Sequence, residues 1–175
     1  LLEARLRLFS RLAEKVRAIY GEVSGGEELT CSYGSTLGDD VFGMTRDEIR
    51  DVFAAALAAR RREDLRRQQT CVGPHRDDVT FLIDGRDARS FGSQGQQRCV
   101  ALALKMAEVE LAAEVVGSRP LLLLDDVMSE LDERRRNAVV RFAQKGIQTV
   151  ITTTNLGYFS PELLDASEVV SFRGR

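Results

Sequence analysis

Residues 121–126 read Leu121-Leu122-Leu123-Leu124-Asp125-Asp126, four leucines followed directly by two acids. A strand without polar alternation is typical of a central strand in a parallel sheet, where helices bury both faces. Ligands of such sheets bind at the carboxyl ends of the strands, which is where the two acids stand. One carboxylate can hold Mg²⁺ through water, and the other can orient an attacking water. A turn or a helix cap made of two acids is the alternative.

A second motif, Gly92-Ser93-Gln94-Gly95-Gln96-Gln97-Arg98, precedes this strand and begins a long helix predicted from Gln94 to about Val116. The amides and the hydroxyl at such a helix start are donors that suit a phosphate, and Gly95 permits close backbone approach. An ordinary helix capped by Ser93 is the alternative. No glycine-rich loop ending in Lys-Ser or Lys-Thr, which normally holds the phosphates, occurs in the sequence.

Strands and helices alternate after residue 73, which predicts an α/β fold with a parallel-rich sheet covered by helices. A helix is expected over about 131–144, and Ser160-Pro161 begins another with Pro at its first position. The strands are predicted at 79–83, 121–124, 149–152 and 169–172, and Asp84-Gly85 is predicted to form the turn after the first of them.

The first 72 residues have a different pattern. An apolar seam with alternating spacings of four and three predicts a helix that ends at Gly21 or at Gly25-Gly26. A short strand over 29–33 follows, and Thr45 with Glu48 predicts a capping box that begins a second helix. We therefore predict two domains, a helical lever-arm part over 1–72 and an ATPase lobe over 73–175. The seam residues are Leu2, Leu6, Phe9, Ala13, Val16 and Tyr20.

Arginine supplies nearly all the basic residues, since only Lys15, Lys105 and Lys145 are lysines. The net charge of −2 excludes a nucleic-acid field over the whole chain. A local cluster at the end of the second helix is a candidate for DNA-phosphate contacts, and a solvated helix face is the alternative. The cluster consists of Arg60, Arg61, Arg62, Arg66 and Arg67.

Composition and cysteine spacing limit the classes of protein to which the chain can belong. A hydrophobic content of 43% suffices for a globular core, and the longest apolar run is too short to span a bilayer. The three cysteines have neither zinc nor disulfide spacing, which favours a reducing compartment. We expect a cytoplasmic protein without a membrane partner. The start at Leu1, without Met, indicates a piece of a longer chain.

Three motifs in register carry a resemblance: Ser93–Arg98, Leu121–Asp126 and Ser129-Glu130-Leu131-Asp132. In this order they resemble the RecF family of bacterial DNA replication and repair proteins, whose heads are of the ATP-binding-cassette type. Gly73–Asp78 and Thr152–Thr154 are also similar to that family. The resemblance covers about 70–175 strongly and the helical hairpin weakly. It implies the C-terminal lobe of a P-loop ATPase head, plus part of a lever arm.

The resemblance also implies roles for single residues. The nucleotide-binding signature loop closes over the γ-phosphate of an ATP held by the opposite subunit of a dimer. The Walker B acid binds Mg²⁺, and the next acid replaces the usual catalytic Glu with a side chain one methylene shorter. A Thr stands where transporters have a switch His, so a hydroxyl hydrogen bond replaces a cation there. The residues are Ser93, Gly95 and Gln96 (signature loop), Asp125 (Mg²⁺), Asp126 (catalytic), Ser129 and Asp132 (D-loop) and Thr154 (switch).

As a function, the family implies an ATP-dependent homodimer that binds gapped DNA or single-stranded/duplex junctions. It assists recombinase loading with RecO and RecR, hydrolyses ATP slowly and belongs to DNA repair, replication and the SOS response. The chain alone is expected to be inactive, because the phosphate loop is missing. The alternatives are an SMC-like chromosome protein, a transporter ATPase subunit and a scaffold that has lost catalysis.

His75 is the only histidine, and Asp77 and Asp78 lie beside it in sequence. A nuclease-type metal site is one interpretation of this loop. A structural loop at the junction of arm and head is the second, and sensing of nucleotide or DNA by His75 and Arg76 is the third.

Overall fold

The structure is a computed structural model that describes residues 1–172. Helices and strands alternate along most of the chain, as the sequence predicts. The helices are α1 (Leu2–Ser24), α2 (Arg46–Arg67), α3 (Ala88–Phe91), α4 (Gln94–Val116), α5 (Glu133–Ala143) and α6 (Pro161–Asp165). The strands are β1 (Leu29–Gly34), β2 (Asp78–Ile83), β3 (Arg86–Asp87), β4 (Leu122–Asp125) and β5 (Thr149–Thr152).

The leucine run forms β4, which pairs in parallel with β5, so the α/β fold with a parallel strand pair is confirmed. One expectation about β4 is wrong. Leu122 and Leu124 are buried, but Leu121 is 50% exposed and Leu123 is 67% exposed. Side chains of a strand alternate between two faces. In the described residues only one face of β4 is therefore covered.

The larger sheet is antiparallel and has the order β1-β2-β3. Asp84 and Gly85 connect β2 to β3, both with positive φ (47° and 78°). Positive φ at both central residues is the requirement of the tight hairpin turn that an Asp-Gly pair favours. The turn predicted at these two residues is confirmed. The sheet places β1, from the first part of the chain, beside β2 from the second.

Two helices, α1 and α2, form in the first part of the chain, as predicted. α1 continues through Gly21 and ends at Gly25, whose φ of 99° provides a left-handed C-cap. Thr45 and Glu48 form the predicted capping box at the start of α2. Only Ile49 of α2 is buried, and it packs in a small second cluster with Leu2 and Leu6 of α1. Most of α2 therefore lies outside the core.

The main core joins α1, α4 and α5 with β4 and the antiparallel sheet. Tyr20 of α1, Cys99 of α4 and Phe142 of α5 are at most 2% exposed. Burial raises the pKa of the Cys31 thiol to about 11 and also raises that of Cys99. Both thiols therefore stay protonated near neutral pH, Cys99 in a buried position and Cys31 in a half-buried one. The domain boundary predicted at residue 72 stays a prediction, and this core contains residues from both sides of it.

The predicted strand over 169–172 is wrong, because these residues form no ladder. Val169, Val170 and Phe172 are 48%, 65% and 92% exposed. A strand needs a neighbour to accept its backbone hydrogen bonds, and none of the described strands lies beside this segment. Residues 173–175, the end of the predicted second domain, lie outside the described residues. None of the described helices combines the length and apolarity that a membrane crossing requires.

Candidate nucleotide site

The two acids stand at the carboxyl end of β4. Asp125 is the last residue of the strand, and Asp126 leaves it with a left-handed φ of 47°. This conformation is uncommon for a residue other than glycine, and it turns the chain away from the sheet. Both carboxylates are exposed and open to a ligand. The predicted position at the strand end is confirmed, whereas the chemical roles of the acids stay predictions.

Thr152 holds this turn in place. It ends β5 in register with Asp125. Its hydroxyl donates to Asp125 Oδ1 over 2.5 Å and accepts from the amide of Asp126 over 3.0 Å. That amide also lies 3.2 Å from the carbonyl oxygen of Thr152. One side chain thus orients one carboxylate and fixes the backbone of the other.

Thr152 is not among the site residues that the sequence predicts, although it belongs to the Thr152–Thr154 motif. The signal was its position at the end of a second predicted strand, since parallel strands end at the same edge of a sheet. Thr154, the predicted switch residue, is exposed and lies two residues beyond β5. Its role stays a prediction.

The start of α4 has the geometry of a donor cluster. Ser93 caps the helix, its hydroxyl accepting from the amide of Gln96, and the Gln96 side chain accepts from the amide of Ser93. The amides of Gln94 and Gly95, in the first helical turn, have no intrahelical acceptor. They and the exposed Ser93 hydroxyl can donate to an anion at the positive end of the helix dipole. The capped helix and the phosphate-donor cluster are therefore compatible.

A short 3-10 helix, Val127–Glu130, follows the acids directly and contains the start of the predicted D-loop, Ser129–Asp132. Ser129 Oγ donates to the carbonyl oxygen of Asp126 over 2.9 Å. Asp132 caps α5 by accepting from the amide of Arg135, and its other oxygen pairs with Arg135 Nη1 at 2.9 Å. The D-loop is thereby tied to the turn at the end of β4.

Two arginines connect the predicted signature segment, Gly92–Arg98, with the predicted D-loop. Arg98 Nη2 lies 3.1 Å from Glu130 Oε1, and both side chains are about half exposed. A Cβ built on Gly95 would lie 3.4 Å from Nη1 of Arg135, the residue that pairs with Asp132. Exposed ion pairs contribute about 0–1 kcal/mol to the free energy of unfolding. These contacts therefore orient the two segments more than they stabilise the fold.

The arginine cluster lies apart from this site, at the far end of α2. All five side chains are exposed. Arg60 and Arg67 pair with Glu63, whereas Arg61, Arg62 and Arg66 form no ion pair within residues 1–172. No hydrogen bond in that range links the cluster to β4 or α4. Its DNA-binding role stays a prediction.

The loop around His75 has structural contacts throughout. His75 Nε2 lies 3.0 Å from the carbonyl oxygen of Thr70. Asp77 accepts from the Tyr33 hydroxyl at 2.7 Å and from the backbone and side chain of Thr36. In the described part of the chain, no group of three or more His, Cys, Asp or Glu side chains is placed to hold a metal. This favours the structural junction over the nuclease site.

Curated relatives match nearly the whole chain. The DNA replication and repair protein RecF of Heliobacterium modesticaldum is 44% identical over 167 residues, which is 93% of this chain and 44% of the relative. RecF of Bacillus subtilis is 41% identical over 161 residues, 91% of this chain and 43% of the relative. The chain thus spans less than half the length of these relatives.

Solved structures give the same result for the fold. A structure of the recombination mediator protein RecF-ATPrS in the RecFOR pathway matches with a TM-score of 0.75 and 34% identity, covering 89% of this chain and 41% of that one. The RecF-ATP structure from the same pathway matches with a TM-score of 0.74. No protein-family model matches the chain.

Gly92 sets the position of the signature segment, and its substitution tests this geometry. A Cβ at Gly92 would lie 2.4 Å from the carbonyl oxygen of Ala88, a backbone atom that cannot move alone. We expect Gly92→Ala to lower the free energy of unfolding by about 1–3 kcal/mol, the usual cost of overpacking. Urea denaturation measures this change.

Gly21→Ala is the matched control. Gly21 lies inside α1 with no atom within 4 Å of a built Cβ. Alanine is favoured over glycine in a helix by about 0.5–1 kcal/mol, so this variant should be more stable than the wild type. Equal effects of the two substitutions would contradict the close approach at Gly92.

Proposed function

Because the chain belongs, over the segment that it spans, to the RecF family of DNA replication and repair proteins, we propose that it forms part of an ATP-dependent switch that binds DNA during repair and replication. The observation that carries this proposal is the joint placement of the helix start at Ser93, the D-loop and the acid pair at the end of β4. The matching solved structures are of RecF-ATP and RecF-ATPrS, which supports ATP as the nucleotide.

In the proposed switch, two copies of the full-length protein dimerise around ATP. Ser93, Gly95 and Gln96 face the γ-phosphate of the ATP held by the partner subunit. The free first-turn amides of α4 and the Ser93 hydroxyl fit such an anion, since they supply three donors at a positive helix end. Ser129 and Asp132 then lie across the seam between subunits. Bound ATP supplies the anionic group that draws the two subunits together.

The two acids have different roles in the proposed hydrolysis of ATP. Asp125 would contribute one ligand to Mg²⁺, since one carboxylate suits an ion that keeps several of its waters. Asp126 orients the attacking water. Thr152 fixes Asp125 through its hydroxyl and Asp126 through its amide, so the pair keeps its relative geometry. The short Asp126 side chain favours slow turnover, and Thr154 senses the γ-phosphate with a hydroxyl.

The chain alone should bind ATP weakly or not at all and hydrolyse none. A glycine-rich loop with its Lys supplies most phosphate contacts in P-loop ATPases, and it is missing from these 175 residues. Isothermal titration calorimetry with Mg-ATP checks this expectation. Micromolar affinity of the 175-residue chain would show that the signature segment and the acids bind nucleotide without that loop.

Substitution of Asp126 tests the proposed hydrolysis. In the full-length protein, Asp126→Asn should lower ATP turnover by about 100-fold or more, because an amide cannot act as a general base toward water. ATP-dependent dimerisation should persist, since the signature segment is unchanged. Steady-state phosphate release and analytical ultracentrifugation measure the two effects.

Asp40→Asn, which changes an exposed acid in the 3-10 helix Asp39–Gly43, is the control. Turnover equal to that of wild type would remove Asp126 from the reaction.

On the DNA side, we propose that the closed dimer binds gapped DNA or single-stranded/duplex junctions and acts in the cytoplasm with RecO and RecR to load recombinase. Support comes from the relatives' description as replication and repair proteins and from the RecFOR pathway of the matching structures. The same assignment would make the protein part of the SOS response. The exposed arginines at the end of α2 supply the phosphate contacts.

The arginine cluster gives a test of its own. Arg61→Ala/Arg62→Ala in the full-length protein should weaken DNA binding and reduce the slope of log affinity against log salt by about 0.9 for each phosphate that the variant no longer neutralises. Fluorescence anisotropy over a salt series measures the slope. Arg46→Ala/Arg50→Ala, at the other end of α2 and about 20 Å away, is the matched control. Equal slopes for both double variants would favour a solvated helix face.

A further inference from the structure

A polar cluster joins α1 to the signature segment beneath its exposed donors. Glu27, in the connection between α1 and β1, uses both carboxylate oxygens. Its Oε2 accepts from the Tyr20 hydroxyl at 2.8 Å, and its Oε1 accepts from the side-chain amide of Gln96 at 2.8 Å. Tyr20 is fully buried, and Glu27 is half-buried. The carboxylate therefore bridges the end of one helix and the start of another.

The bridge reaches Ser93 through Gln96. The amide nitrogen of the Gln96 side chain is held by Glu27, which leaves its oxygen directed at the backbone amide of Ser93, 2.8 Å away. The backbone amide of Gln96 in turn donates to the Ser93 hydroxyl oxygen at 3.2 Å. Holding the Gln96 side chain in one orientation thus fixes the backbone of Ser93, while the backbone amide of Gln96 holds the Ser93 hydroxyl.

The hydrogen bonds of this cluster lie in a partly buried environment. Burial raises the pKa of Tyr20 and the hydrogen bond to Glu27 raises it further, so the hydroxyl stays protonated and donates. Arg135, which lies beside Gly95, has a buried Nε without a hydrogen-bond partner in the described residues. A hydrogen bond to a charged group in a partly buried site contributes more than a neutral one.

We propose that Glu27 is a positioning residue for the signature segment: it holds Gln96 and thereby sets Ser93 for the phosphate of the partner subunit's nucleotide. The proposal rests on the proposed ATP-dependent dimer and adds a residue that lies outside the signature motif, 69 positions before Gln96. Glu27 touches neither the acids nor the exposed donors, so it acts through Gln96.

The test uses Glu27→Gln in the full-length protein. The substitution replaces one acceptor oxygen by a donor NH₂, so the new side chain cannot accept from both Tyr20 and Gln96. We expect the ATP concentration for half-maximal dimerisation to rise on the order of tenfold, the effect of losing one charge-assisted hydrogen bond. Affinity of the monomer for a fluorescent ATP analogue should stay near wild type, because the nucleotide of the same subunit is held elsewhere. The melting temperature should fall by only about 2–4 °C, the effect of one lost hydrogen bond in a domain of this size.

Two further variants make the result decisive. Glu28→Gln changes the neighbouring exposed acid and should dimerise as wild type does. Tyr20→Phe removes one of the two donors to Glu27 and should shift dimerisation in the same direction as Glu27→Gln, by a smaller factor. This variant supports or contradicts the proposal even if Glu27→Gln does not fold.

The outcomes separate this inference from the proposed function. A wild-type protein that does not dimerise with ATP overturns the proposed function and the inference with it. Wild-type dimerisation that neither Glu27→Gln nor Tyr20→Phe weakens overturns the inference alone. If Glu27→Gln weakens monomer ATP binding and lowers the melting temperature as strongly as it weakens dimerisation, Glu27 only stabilises the fold. That result also overturns the inference.

Discussion

The burial of α4 against α1 is the constraint on which the rest of the structure depends. Cys99, Ala103 and Ala107 of α4 are fully buried, and Tyr20 of α1 lies in the same cluster. Small side chains on α4 permit close approach of the two helices, which leaves little freedom for either to rotate. The first turn of α4 is continuous with this buried part. Packing several residues away therefore fixes where the start of α4 lies, while the hydrogen bonds of Gln96 hold Ser93 itself.

A second, local constraint acts at the acid pair. The register of β4 and β5 places Thr152 opposite Asp125, and one hydroxyl then serves as donor to the carboxylate and acceptor for the next amide. A hydroxyl can make both bonds at once because it has one hydrogen and free lone pairs. The left-handed turn at Asp126 depends on this amide bond, so the geometry of the acids follows from strand pairing and not from the acids alone.

Local patterns predicted much of this. The sequence predicts the helix Gln94–Val116, the capping residues Thr45 and Ser160 and the Asp-Gly turn. Each of these features depends on residues that are close together in the sequence. Long-range contacts were not accessible in the same way. The pairing of β1 with β2 and the bond from Glu27 to Gln96 join positions far apart in sequence, and no motif marks them. The strand Leu122–Asp125 was predicted, but its burial was not, because burial depends on what covers each face.

The exposed face of β4 and the exposed acids have one physical implication. Charged groups orient a reacting water best where bulk water is excluded and the dielectric constant is low. Asp125 and Asp126 lack such an environment in residues 1–172, and Leu121 and Leu123 beside them are half exposed or more. The chain spans less than half the length of its relatives, so we expect the surfaces that enclose this edge to come from the rest of the full-length protein. The 175 residues thus hold the signature donors and the acids in a fixed relation, while enclosure of the reaction belongs to the full-length, ATP-closed dimer proposed above.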